Sequence, residues 1–225
     1  MRTFIITIST NPDSVRSADY ARETAKAVGY EAEIEHFEAV TPEKDDWRAI
    51  IPHKNNSFEV FMRPDNVACC FASHYLLWQM CVDLNEPILV LEHDAIFEAN
   101  IPDDDFNMCV NYGKPTYMKE EAVNYEIPVE YEVAPLRDNF FFGHHAYALK
   151  PEAAKIFVER CETTILGPND VWMNKREFPW LEEYYPGPVI ADTEYSTVQA
   201  KPMQFRNLFE PVKEQFEGDD KIHSH

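Results

Sequence analysis

The sequence predicts an α/β fold with a mostly parallel central sheet flanked by helices. Three observations predict it. First, the chain opens in the order strand, helix, strand, the pattern that gives parallel neighbours. Second, four consecutive apolar residues, Ile88 to Leu91, read as a strand buried on both faces. Third, a long apolar helical stretch, Asp65 to Leu84, leads directly into that strand.

The first strand is "RTFIITI", residues 2–8. A helix follows from about Pro12 to Val28, with Asn11 or Asp13 available as its cap. Val15, Ala18, Ala21, Ala25 and Val28 form its apolar stripe, and Gly29 is placed to end it. Residues 31–40, "EAEIEHFEAV", alternate acidic and apolar, as a half-exposed strand does. Residues 41–64 read as a long loop. Asn85 and Pro87 close the buried helix. A further strand is expected near Asn107 to Tyr112. Residues 113–139 read as irregular, with "YEIPVEYEVAP" extended, and "FFFGHHAYALK" reads as a strand interrupted by glycine. "PEAAKIFVERC" has the composition of a short helix with Pro151 in its first turn. "PNDVWMNKREF" opens another.

At 225 residues and 45% hydrophobic, the chain has enough apolar content for one sizeable core. Residues 1–212 are expected to form a single domain, and 213–225 an acidic, mobile tail. No signal peptide and no membrane span are expected, because no apolar run reaches the required length. The five cysteines fit no C-x-x-C pattern and read as small buried thiols of a reducing, cytoplasmic compartment. A net charge of −20 argues against unaided binding to a nucleic-acid backbone.

One placement demands chemistry. The buried strand runs straight into Glu92, His93 and Asp94. Burying charge is costly unless it is paired or bound to a metal. Ligands in open α/β sheets sit outside the carboxyl ends of the strands, and Ser9-Thr10-Asn11 marks a second such end. Strand alternation would put Glu92 and Asp94 on one face, a pair suited to a hard divalent cation. A charged turn after a strand explains the same residues without an ion. Likewise, helix packing alone accounts for His74 and Trp78, and a helix cap for Asp170.

The order of the pieces adds to this reading. Ala68-Cys69-Cys70, Ser73-His74 and Trp78, then an apolar strand ending in Glu92-His93-Asp94, resemble the family 25 glycosyltransferases, the lipooligosaccharide and collagen galactosyltransferase type. "NPDSVR", "FEAVTP", "GHHAYALKPEAAKIF" and "GPNDVWM" are similar to later and earlier segments of that family, in the same order. His93 departs from it, standing where the family has an acid. The resemblance spans residues 2–200. It implies a GT-A-like nucleotide-binding sandwich that moves a sugar from a nucleoside-diphosphate sugar to an acceptor hydroxyl, with inversion. It implies a divalent cation, Mn²⁺ or Mg²⁺, on Asp94 with help from Glu92. Asp170 is then the first candidate for the base, with His144 and His145 as rivals. Ser9, Thr10, Asn11, Arg16, Glu92 and His93 would lie by the donor nucleotide. The acceptor would be a glycan, a lipid-linked saccharide, a protein side chain or, less in keeping with the charge, a modified DNA base. A nucleotide-sugar-binding protein without turnover and an interaction protein on the same scaffold are the competing readings.

Overall fold

The computed structural model describes residues 1–52, 56–102, 105–114 and 132–192. The boundary at 212 and the tail 213–225 lie outside the described residues, as does most of the irregular segment 113–139.

The first three elements form for the reasons the sequence offers. Strand β1 is Arg2–Thr7 and helix α1 is Pro12–Ala27. Asn11 caps α1, its carboxamide accepting the Asp13 amide at 2.9 Å. Gly29 turns the chain out of the helix at φ 82°. Strand β2 is Ile34–Glu38. The segment read as a loop holds a one-turn helix, α2 at Trp47–Ile50, and a 3₁₀ turn at Phe58–Val60. Asp46 makes α2 possible by capping the Arg48 amide at 3.1 Å.

Helix α3, Pro64–Leu84, ends on Asn85 in the left-handed region at φ 51°. Among the described residues it is the one helix long and apolar enough to cross a membrane, yet most of its apolar window is buried inside the fold. Strand β3 is Ile88–Glu92, and short strands β4 and β5 are Ala95–Phe97 and Cys109–Asn111. Strand β6 is Glu132–Pro135, β7 is Ala146–Leu149, and α4 is Pro151–Cys161. Then come α5, Asn169–Trp172, and strands β8, Leu181–Tyr185, and β9, Val189–Ala191.

The seven-stranded sheet has the order β2-β1-β3-β7-β5-β8-β6. Strands β1, β2, β3, β5 and β8 run one way, and β7 and β6 run against them. The fold class is mixed α/β with a mostly parallel sheet, as expected. Strands β4 and β9 pair separately. Both faces of the large sheet are covered. Ile88 and Val90 join a core shared with α3 and α4, while Leu89 and Leu91 join a second core beneath α1. That two-sided burial is why β3 reads as an unbroken apolar run.

Three local expectations change. The strand expected from Phe140 begins only at Ala146, because Gly143, at φ 85°, turns the chain first. The helix expected from Pro168 stops at Trp172. There the Asn174 side chain takes the Arg176 and Glu177 amides, each at 3.1 Å, in competition with a continuing helix. Strand β8 was not foreseen, since "LEEYY" carries two acids in its centre.

Candidate active site

Glu92 is the last residue of β3, and its side chain turns toward α3. One carboxylate oxygen, Oε1, meets two imidazoles: His74 Nε2 at 3.3 Å and His144 Nδ1 at 3.2 Å. Burial alone would favour the protonated acid, but the hydrogen bonds from His144 and His74 outweigh it and hold the carboxyl well below its usual range. Glu92 is therefore an ionised acceptor, and both facing ring nitrogens carry protons.

That assignment fixes the other nitrogens. Burial drives the His144 ring toward its neutral form, with the nearby His74 acting in the same direction. With its proton on Nδ1, His144 presents a bare lone pair at Nε2, which is buried and has no hydrogen-bond partner among the described residues. The residue as a whole is only 6% exposed. On His74, Nδ1 meets the Tyr147 hydroxyl at 3.0 Å. Tyr147 in turn accepts the Trp78 indole N–H at 2.9 Å. With one ring proton on Nε2, His74 receives the Tyr147 hydroxyl proton at Nδ1. Trp78, Tyr147, His74, Glu92 and His144 thus form one connected chain of hydrogen bonds.

Each member is placed by backbone that has little freedom. His74 and Trp78 lie four apart on α3 and so share a face. Ser73 pins that helix to the end of β2, donating to the Cys69 carbonyl and accepting the Val40 amide, both at 2.9 Å. Trp78 stacks on Trp172 at 5.5 Å between ring centres. His144 follows the turn at Gly143, which lies directly against Gly113. A side chain at either glycine would collide with the backbone of the other. Asn111 ties the same turn to β5, donating to the Phe142 carbonyl at 2.6 Å and accepting the Gly113 amide at 2.9 Å.

Around this chain lie more carboxylates. Burial pushes the Cys70 thiol well up, and Glu92, Asp170 and Asp94 push it further in the same direction. Burial also raises the Asp170 carboxyl, with His144 opposing and Glu92 adding to the rise. Asp94 lies in the turn between β3 and β4, its carbonyl accepting the Asp192 amide at 2.8 Å. Since β3 ends at Glu92, the turn rather than strand alternation places Asp94. Asn169, beside Asp170 and 5% exposed, has no partner among the described residues for either end of its carboxamide.

The other expected residues divide. His93 is buried in the same turn as Asp94. The His145 side chain points elsewhere, its Nε2 donating to the Val189 carbonyl at 3.0 Å, while its backbone carbonyl accepts the Glu92 amide at 2.9 Å. Ser9, Thr10, Asn11 and Arg16 follow β1 at the same end of the sheet as Glu92, for β1 and β3 are parallel with Ile6 opposite Glu92. Ser9 donates to Glu38 at 2.9 Å, and Arg16 pairs with Asp13 on an exposed surface. Cys70, His74 and Tyr147 were not singled out from the sequence as site residues. The spacing of Cys70, His74 and Trp78, four and four, was the available signal.

Residues 1–173 match the family model "Glycosyltransferase family 25 (LPS biosynthesis protein)". Among curated proteins, none matches the chain. Solved structures similar to it include the galactosyltransferase LgtC in complex with donor and acceptor sugar analogues. That pair shares 12% identity over 81% of this chain and 73% of the other, at a TM-score of 0.43. An active-site mutant of LgtC shares 10% identity over 81% and 72%, at 0.44. A Drosophila β-1,4-galactosyltransferase 7 mutant, complexed with manganese, UDP-Gal and xylobiose, shares 8% over 79% and 69%, at 0.32. The family match takes in well over half of the sequence, and the chain belongs to glycosyltransferase family 25.

Proposed function

We propose that this glycosyltransferase moves a sugar from a nucleoside-diphosphate sugar to an acceptor hydroxyl by a single inverting displacement, with His144 as the base. The observation that carries this reading is the buried Nε2, without a partner among the described residues, of a histidine whose Nδ1–H is held by an ionised carboxylate. A direct displacement at the anomeric carbon needs a group that takes the acceptor's proton as the new bond forms. His144 Nε2 has the lone pair for it. Glu92 then stabilises the imidazolium that results and holds the ring so that Nε2 faces the reactant, the division of labour seen wherever a carboxylate orients a histidine base. Asp170 is the second candidate. Its raised carboxyl suits a sugar-hydroxyl acceptor as well as a base, and the unpaired Asn169 carboxamide beside it suits another hydroxyl. Burying an unpaired amide is costly, and a bound sugar would relieve that cost.

A hard divalent cation takes oxygen ligands and commonly keeps one or two carboxylates plus the substrate's phosphates. Asp94 and Asp170 both act on the Cys70 thiol electrostatically, which supports an ion on that side of the site, while Glu92 is occupied by its two histidines. Asp94 is accordingly the first proposed ligand of Mn²⁺ or Mg²⁺, and Glu92 a positioning residue. When bound, the ion would neutralise the charge left on the departing diphosphate. Ser9, Thr10, Asn11 and Arg16 follow a parallel strand at the same sheet end, the place for the nucleotide. The acceptor class proposed is a glycan or lipid-linked saccharide.

A thermal-shift screen of nucleoside diphosphates and nucleotide sugars, with and without Mn²⁺, tests the donor side. A manganese-dependent rise with one nucleotide, lost in Asp94→Ala, is the expected result. Stabilisation by a nucleotide sugar with no product from any acceptor would favour a binding protein without turnover. No shift with any nucleotide would sink the reading.

A further inference from the structure

Cys70 and His74 lie four residues apart on α3, so their side chains share a face. Their ligating atoms and a Glu92 oxygen all lie within 4.8 Å of one another. We propose that Cys70, His74 and Glu92 form a site for a thiophilic divalent cation, Zn²⁺ foremost, separate in its donor set from the oxygen site proposed at Asp94.

The geometry suits that ion. Tetrahedral zinc with ordinary Zn–N and Zn–O bonds puts its nitrogen and oxygen ligands about 3.4 Å apart. His74 Nε2 and Glu92 Oε1 are 3.3 Å apart. The His74 ring is already held from behind by Tyr147, itself held by Trp78, the kind of outer support that orients metal-binding histidines. His74 is fully buried, whereas the Glu92 side chain is 27% exposed and Cys70 is half-buried, so the cluster has an open flank. That flank admits the ion and leaves a fourth position for water. A thiolate, an imidazole and a carboxylate together select zinc over manganese or magnesium, which prefer oxygen alone.

The proton balance closes. Binding expels the Cys70 thiol proton to solvent as the Zn–S bond forms. The His74 ring proton moves from Nε2 to Nδ1, and the Tyr147 contact reverses direction. The phenol oxygen has two lone pairs and accepts from Trp78 and His74 together. Glu92 enters already ionised and releases nothing. An ion here would draw Glu92 away from His144 and slow transfer. That consequence rests on the function proposed above, whereas the binding itself does not.

Cobalt is the direct probe. The metal-stripped 225-residue chain titrated with Co²⁺ should develop a near-ultraviolet sulfur-to-cobalt band saturating at one ion per chain. Zn²⁺ should abolish the band, and excess Mg²⁺ should not. Cys70→Ser should lose it, while Cys81→Ser, altered at a buried thiol outside the cluster, should keep it. X-ray absorption of the zinc-loaded native chain gives a reading that needs no variant: one sulfur at about 2.3 Å. A band that survives Cys70→Ser, no band in the native chain, or a zinc shell of nitrogen and oxygen alone would each overturn the site.

Discussion

At the scale of single residues, the site turns on which nitrogen carries which proton. An ionised Glu92 fixes both histidines at once and leaves Nε2 of His144 bare. Tyr147→Phe would leave the Trp78 indole and His74 Nδ1 without their shared partner. Such orphaned buried groups cost about 1–3 kcal/mol, to be read from urea unfolding. Asn169→Leu should act in the opposite direction on the free fold. It replaces an unpaired buried amide by an apolar group of similar size, so the melting temperature rises while substrate affinity falls. The cysteines give a separate check. Burial first, with nearby charges adding, pushes the Cys69 thiol up to about 12. Burial does the same for Cys81, also to about 12. At pH 8 roughly one thiol in 10⁴ at either position is then the reactive thiolate. Alkylation there should be negligible in the native protein and complete in denaturant.

At the scale of elements, the backbone around His144 matters as much as its side chain. Gly143 and Gly113 touch, so Gly113→Ala forces the β5 end and the histidine turn apart. Lower stability and lost activity should appear together. Strand β8 offers a pH test away from the site. Burial raises the Glu183 carboxyl despite its Arg137 partner at 3.2 Å. A raised folded-state value means the fold holds that proton more tightly than the unfolded chain does. Stability from this group is therefore present at low pH and is lost as pH rises through the folded-state value. Glu183→Gln removes that loss, so its melting temperature relative to the native chain should be higher at pH 7 than at pH 4. This strand also shows where the sequence is silent. "LEEYY" carries two acids, and only its pairing with β5 and β6 makes it a strand. By contrast, α1 and β3 were legible, because a cap, an apolar stripe and an unbroken apolar run are local signals. The extent of "FFFGHHAYALK" was not, since the turn at Gly143 depends on Gly113, thirty residues earlier in the chain.

At the scale of the whole molecule, the sheet brings distant segments to one end. Glu92 from β3, His144 before β7, His74 from α3 and Asp170 from α5 meet only because β7 inserts, antiparallel, between β3 and β5. Sequence order placed Glu92, Asp94, His144 and Asp170 among the candidates. It did not separate His144 from His145, whose opposite directions follow from that turn. Beneath the site, Trp78 packs against Phe71, Phe157 and Trp172 in the core between α3 and α4. Trp78→Ala should cost about 3–5 kcal/mol and loosen Tyr147 with it. The central claim is that His144 acts in the displacement rather than in binding. The most direct measurement compares His144→Gln with the native chain, recording donor affinity by calorimetry and the rate of sugar transfer on saturating donor. The account predicts unchanged donor affinity with kcat lower by roughly 10²–10⁴-fold. A variant that transfers sugar at the native rate would contradict it.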